Sequence, residues 1–174
     1  KINLNKLSKI KISREDKEFK YNNLYIFKNF SVSSKNFENF QIILIGNPII
    51  ENINNFYSIF KIYSNNNNKI KNELEKINGQ FLVFINYFDK NKFLVFNDRF
   101  ASIYLYIYKI DKNIYLSHLY YDLFSIKKVQ QLKLNNLNFL QVIFFNRMFG
   151  EKTFHNEIKF LLPSTFCKIF NKKI

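Results

Sequence analysis

Glycine, proline, cysteine and tryptophan are almost missing from this chain: its 174 residues hold three Gly, two Pro, one Cys and no Trp. The lone cysteine, Cys167, excludes an internal disulfide and a cysteine-based metal cluster. So few Gly and Pro leave the turns to Asn and Asp, which tolerate left-handed backbone and bond their own main chain. Acidic residues are also scarce, 13 against 27 Lys and Arg, for a net charge of +14. No apolar run approaches the roughly 18 to 20 residues of a membrane span; the greasiest, such as Phe81-Leu82-Val83-Phe84-Ile85, have strand length. The opening Lys1-Ile2-Asn3-Leu4 alternates instead of forming the apolar stretch of a secretory signal. A cytoplasmic protein is the default reading, with no membrane partner.

What the chain does have is aromatic bulk. It carries 22 Phe and 11 Tyr, and 47% of it is hydrophobic, ample to close the core of one domain. The charge comes almost wholly from lysine, since only Arg14, Arg99 and Arg147 are arginine. Lys, Asn, Ile, Phe and Tyr share AT-rich codons, so biased base composition accounts for the charge without a partner. The lysines are scattered, and a phosphate-binding groove would favour arginine's bidentate fork. A module for nucleic acid or an anionic surface is therefore the minor alternative; binding lost between low and moderate salt would be its mark.

Residues 1–20 are polar and lysine-rich. Leu24-Tyr25-Ile26-Phe27 predicts a short strand. The apolar run Phe40 to Ile45 predicts a central strand buried on two faces, closed by the turn signal Gly46-Asn47-Pro48. Ile53, Phe56, Tyr57, Phe60 and Ile62 give helical spacing. So do Ile70, Leu74 and Ile77, with Asn78-Gly79 as the expected C-cap. Phe81–Phe88, a turn at 89–92, Phe93–Phe96, Ile103–Ile110, a turn at 111–113 and Ile114–Leu116 read as an antiparallel meander in one sheet. Its expected interior residues are Phe81, Val83, Ile85, Leu94, Phe96, Leu105 and Ile107. A helical turn is expected within Leu119–Ile126, an amphipathic helix through Leu137, Leu140, Ile143, Phe144 and Met148, and a last strand at Phe166–Phe170. The succession predicts an α+β fold with antiparallel sheets.

Two ordered groups of short motifs carry a family resemblance. The first is Ile77-Asn78-Gly79-Gln80-Phe81-Leu82-Val83-Phe84-Ile85, then Leu94-Val95-Phe96-Asn97-Asp98-Arg99-Phe100, Tyr104-Leu105-Tyr106 and Tyr115-Leu116-Ser117. The second is Phe139-Leu140, Gly150-Glu151-Lys152-Thr153-Phe154 and Ile158-Lys159-Phe160-Leu161-Leu162-Pro163. In order and spacing, over residues 41 to 170, they resemble the N-terminal glutaminase-type domain of the asparagine synthetase family. The resemblance implies a single domain over residues 1–174 with the N-terminal-nucleophile hydrolase fold, a four-layer αββα sandwich. Active members are class II glutamine amidotransferases. An N-terminal cysteine, with its own amine as base, attacks the glutamine amide, and ammonia passes to a C-terminal synthetase domain that uses ATP.

This sequence departs from that pattern. Lys1 stands where the cysteine would be, and Cys167 lies in a strand as a structural thiol. In the oxyanion turn Gly46 is kept, while the asparagine position holds Ile45, which has no donor side chain; one such donor is worth about 3 kcal/mol of barrier. Ala101 replaces the glycine after the Asp-Arg pair, and His118 replaces a glutamate. Gly46 and Asp98 are left as vestigial substrate-site residues. The family aspartate at Asp98 would hold the substrate amine, whereas the residues alone suggest turn closure, with Arg99 as a partner. No catalytic residue, metal site or cofactor is expected; His118 and His155 lack ligand spacing. No Ser-Gly-Gly-x-Asp-Ser pyrophosphate loop occurs, so the synthetase domain lies outside these residues.

The expected function is a degenerate glutaminase-type domain, similar to that of beta-lactam synthetases. It would dock on an ATP-dependent synthetase domain in the same or a partner chain. A cysteine encoded just before Lys1 would instead make it an active amidotransferase domain. Docking predicts an exposed apolar patch within Phe139–Phe149 and Phe154–Leu162, with Phe144, Phe145, Phe149, Phe154 and Phe160 as candidates. If codon bias alone explains the aromatics, all five are buried.

Overall fold

The computed structural model describes residues 30–63, 66–88, 92–110, 113–126 and 129–170, together with four two-residue strands, Ser8–Lys9, Ser13–Arg14, Lys17–Glu18 and Tyr25–Ile26. Of the expected strand at 24–27, Tyr25–Ile26 pairs with Ser8–Lys9. The remainder of residues 1–29 lies outside the described residues, as does the hairpin turn at 89–91. The chain is α+β with antiparallel sheets and divides into two compact units.

The unit of residues 30–103 and 162–174 is built on five strands: β1 (Val32–Asn36), β2 (Phe40–Ile49), β3 (Asn78–Tyr87), β4 (Lys92–Asn97) and β8 (Phe166–Phe170). They pair in the order β8-β4-β3-β2-β1, all antiparallel. Two helices join β2 to β3. α1 (Ile53–Ile62) starts at Asn52, whose side chain accepts from the Asn54 N–H at 2.8 Å. α2 (Asn67–Glu75) starts at Asn66, which accepts from the Lys69 N–H at 3.1 Å. Capping by asparagine satisfies donors that the first turn leaves open. Phe56, Tyr57 and Phe60 of α1 and Ile70 and Leu74 of α2 pack on Phe40, Ile42, Leu44, Phe81, Val83, Ile85, Leu94 and Phe96. These are alternate residues, so they share one sheet face. The other face is buried too: Ile43, Ile45, Leu82, Phe84, Phe93 and Val95 all lie inside.

Two boundaries differ from the sequence reading, for one reason. Gly46-Asn47-Pro48 does not close β2; pairing runs on through Gly46↔Phe81 to Ile49↔Asn78. Asn78-Gly79 likewise begins β3, and Lys76 caps α2. Gly46 has φ 91° and Gly79 φ 107°, so both bend the ladder in a region that favours glycine. Pro48 is tolerated because β1 pairs only with residues 41–45 of β2, leaving that edge open at residue 48.

The meander is not one sheet. After β4 the chain leaves at Asp98–Ala101, and the next strands form a second sheet in the unit of residues 1–29 and 104–161. There β5 (Tyr106–Ile110) lies between β6 (Asn113–Ser117) and β7 (Ile158–Phe160). Between β6 and β7 come 3-10 turns at Tyr120–Ser125 and Val129–Gln131, then α3 (Asn136–Phe145). All seven expected interior residues are buried, Leu105 and Ile107 in this unit and the other five in the first. Among the described residues no helix is long and apolar enough to cross a membrane.

Candidate functional site

Gly46 and Asp98, far apart in sequence, meet at one residue of β3. Gly46 is the register partner of Phe81. The Phe81 N–H donates to Asp98 Oδ2 at 3.1 Å, and the Asp98 N–H donates back to the Phe81 carbonyl at 3.1 Å. The two positions thus flank one residue of β3, one on each side.

Neither has a free group to offer a substrate. The Gly46 N–H donates to the Ser31 carbonyl at 2.8 Å. The Ser31 hydroxyl bonds the Gly46 carbonyl at 2.8 Å and lies 2.6 Å from Asn47 Oδ1. Ile45 is buried opposite Leu82. Asp98 is 1% exposed, and its carboxylate is filled by its own chain. Oδ1 accepts from the Phe100 N–H at 2.8 Å and the Ser102 hydroxyl at 3.1 Å, while the Ser102 N–H, 3.2 Å from both oxygens, is shared. Charge-assisted bonds of this kind are the strong ones. The Asp98 carbonyl accepts from the Ala101 and Ser164 N–H groups, each at 3.1 Å, and Asn97 Oδ1 accepts from Thr165 at 3.3 Å. Asp98 therefore knots β3, its own turn and the entry to β8. Arg99 does not close the turn; it donates to Asn78 Oδ1. Ser31 and Ser102 escaped the sequence reading, although an Asp with a hydroxyl residue four positions on hints at a side-chain-bonded turn.

Ala101, in the turn that follows Asp98, has a φ of 50°. That left-handed backbone costs a residue with a Cβ roughly 1 to 2 kcal/mol.

Cys167 lies in β8 opposite Val95, and burial pushes its thiol up to about 11, leaving little thiolate to act as a nucleophile. Ser117 bonds the Leu119 carbonyl at 3.0 Å. Among the described residues no group of three or more His, Cys, Asp or Glu is placed to hold a metal ion. His155 is buried, its Nδ1 bonded to the Tyr120 hydroxyl and its ring stacked on Tyr120 at 5.9 Å. The Thr153 hydroxyl, with one proton to donate, lies 2.8 Å from the His155 carbonyl and 2.7 Å from that of Ile158. The Tyr120–His155 pairing bridges 35 positions and had no local signal.

Burial lowers the pKa of His155, against a smaller opposing pull from Glu157, and burial lowers that of His118. The unfolded chain then takes up protons near pH 6.5 that the folded chain refuses. Stability is full above about pH 6.5 and is lost as pH falls from there to the depressed values, by at most about 1.4 kcal/mol per pH unit for each histidine, with no further loss below them. Urea midpoints should fall from pH 7 to pH 5. His155→Phe should reduce that slope, with His118 keeping part of it; an unchanged slope would show that His155 titrates normally.

No protein-family model matches the chain, and no curated protein matches it.

Proposed function

We propose that this chain is a glutaminase-type domain of an asparagine-synthetase-like, ATP-dependent amide-forming enzyme, that its glutamine site has decayed, and that it acts as a structural and docking domain. The observation that carries the reading is Ala101: its left-handed backbone falls at the motif position that resembles the family's glycine. Three further facts support it. The motif segments around Gly46, Phe81 and Asp98 lie on adjacent strands. β2, β3 and β4 are buried on both faces, as the inner layer of a four-layer αββα sandwich requires. Helices cover one of those faces.

Decay of the site rests on chemistry. Gly46 and Asp98 spend their hydrogen-bonding groups on their own chain, Ile45 supplies no donor, and Cys167 is a buried, protonated thiol. A working site needs an activated nucleophile and a preorganised donor for the oxyanion.

The test is ammonia release from glutamine by the full gene product, followed by a coupled dehydrogenase assay. Release is expected to equal the no-enzyme background. Turnover above background that a glutamine-mimicking electrophile abolishes would overturn the decayed-site reading.

A further inference from the structure

Helix α3 is inside out. Its one fully buried side chain is Asn138, whose amide donates to the Thr153 carbonyl at 2.8 Å. Leu137, Phe139, Leu140, Ile143 and Phe144 are exposed, Phe144 by 73% and Leu137 by 72%. At 3.6 residues per turn these five fall on one continuous stripe. The apolar side chains that spacing in the sequence places on this helix therefore point outward. Phe145 and Phe149 extend the surface, while Phe154 and Phe160 are half-buried. Seven large apolar side chains between Leu137 and Phe149 are thus exposed, the kind of concentration that marks an interaction surface.

Charge says what kind of surface covers the stripe. No charged residue occurs from Leu134 to Asn146. Cations stand at both ends, Lys133 before the helix and Arg147 after it, both exposed, separated by about 15 Å of helix. Neither is in an ion pair among the described residues, whereas nearby Glu151 is already paired with Lys159 at 3.0 Å. A second copy laid antiparallel on the stripe would set Lys133 against Arg147, between two molecules each carrying +14. Like-charge juxtaposition opposes that pairing.

We infer that the α3 stripe docks on a protein surface of opposite character, an apolar strip framed at both ends by carboxylates. The inference rests on the docking reading above and adds the element used and the chemistry of its partner.

The test places a photo-crosslinking benzophenone side chain at position 144 of the full gene product, in the cells that make it, and identifies the linked peptides by mass spectrometry. The expected product is one protein segment, in the same or another chain, that is apolar and has Asp or Glu on either side. Its yield should fall about tenfold in the double variant Lys133→Glu, Arg147→Glu, and should not change in Lys61→Glu. Products confined to α3 of a second copy, products confined to lipid, a segment without carboxylates, no product, or a yield unmoved by charge reversal would each overturn the inference. If the captured acidic segment belongs to something other than an ATP-dependent synthetase, the docking chemistry stands and the family reading falls. If a synthetase domain is captured and charge reversal has no effect, the reverse holds.

Discussion

Replacing Gly46 by alanine is expected to prevent folding of the five-stranded sheet. A Cβ at this position would lie 2.2 Å from the Gln80 carbonyl oxygen and 2.7 Å from Ile103 Cδ1. The carbonyl belongs to β3, the strand that pairs with Gly46, so it cannot withdraw without opening the ladder between β2 and β3. The φ of 91° adds strain that alanine cannot relieve. Together these cost more than about 4 kcal/mol, a large share of the 5 to 15 kcal/mol that holds a typical domain. The protein should be insoluble, or should lack a cooperative thermal transition by circular dichroism. Gly150→Ala is the control: its φ is 68°, but nothing lies within 4 Å of the added atom, and about 1 kcal/mol of backbone strain is all it should lose. If Gly46→Ala melts within a few degrees of the parent, the continuation of β2 through Gly46 is wrong.

Asp98→Ala should come next in effect. It strands the buried Phe81 N–H and removes the acceptor for Phe100 and Ser102. Each buried donor left unpaired costs about 1 to 3 kcal/mol, so a total near 3 kcal/mol is expected, or a melting temperature about 10 °C lower for a chain of this size. Asp98→Asn keeps the shape but turns an amide N–H toward donors, and should recover only part of the loss. Ser102→Ala removes one hydroxyl bond at a part-buried site and should cost about 1 kcal/mol. A carboxylate kept for ligand binding would behave differently: its removal would leave the melting temperature unchanged or raise it.

The parts of this fold that were legible in the sequence are those fixed by local pattern. Phe56, Tyr57 and Phe60 recur at helical spacing and pack as a helix should. The apolar runs at Phe81–Tyr87 and Phe93–Phe96 became paired central strands. What local pattern cannot carry is which strand joins which sheet. Tyr106–Ile110 follows β4 at meander spacing, yet its partners are β6 and β7, a choice made by contacts distant in sequence. Gly46 and Gly79 misled for a subtler reason. Glycine marks positive φ, and positive φ serves a turn and a kinked ladder equally well. Periodicity likewise marked Leu137, Leu140, Ile143 and Phe144 of α3 but not that they face outward, and Met148 lies past the end of the helix at Phe145. Of the candidate site, Gly46 and Asp98 were legible as positions. Their saturation by Ser31 and Ser102 was not, because one partner lies 15 residues away and the other is held by a turn geometry that the sequence only hints at.

The division of the chain also bears on how it is made. β8 pairs with β4 across the whole of residues 104–161, so the ribosome completes β1 to β4 long before the edge strand exists. Until Phe166–Phe170 emerges, the β4 backbone from Lys92 to Asn97 is an open template of the kind that recruits foreign strands. Nascent chains stalled before residue 162 should therefore be the aggregation-prone species, and release of the last strand the step that makes the sheet safe.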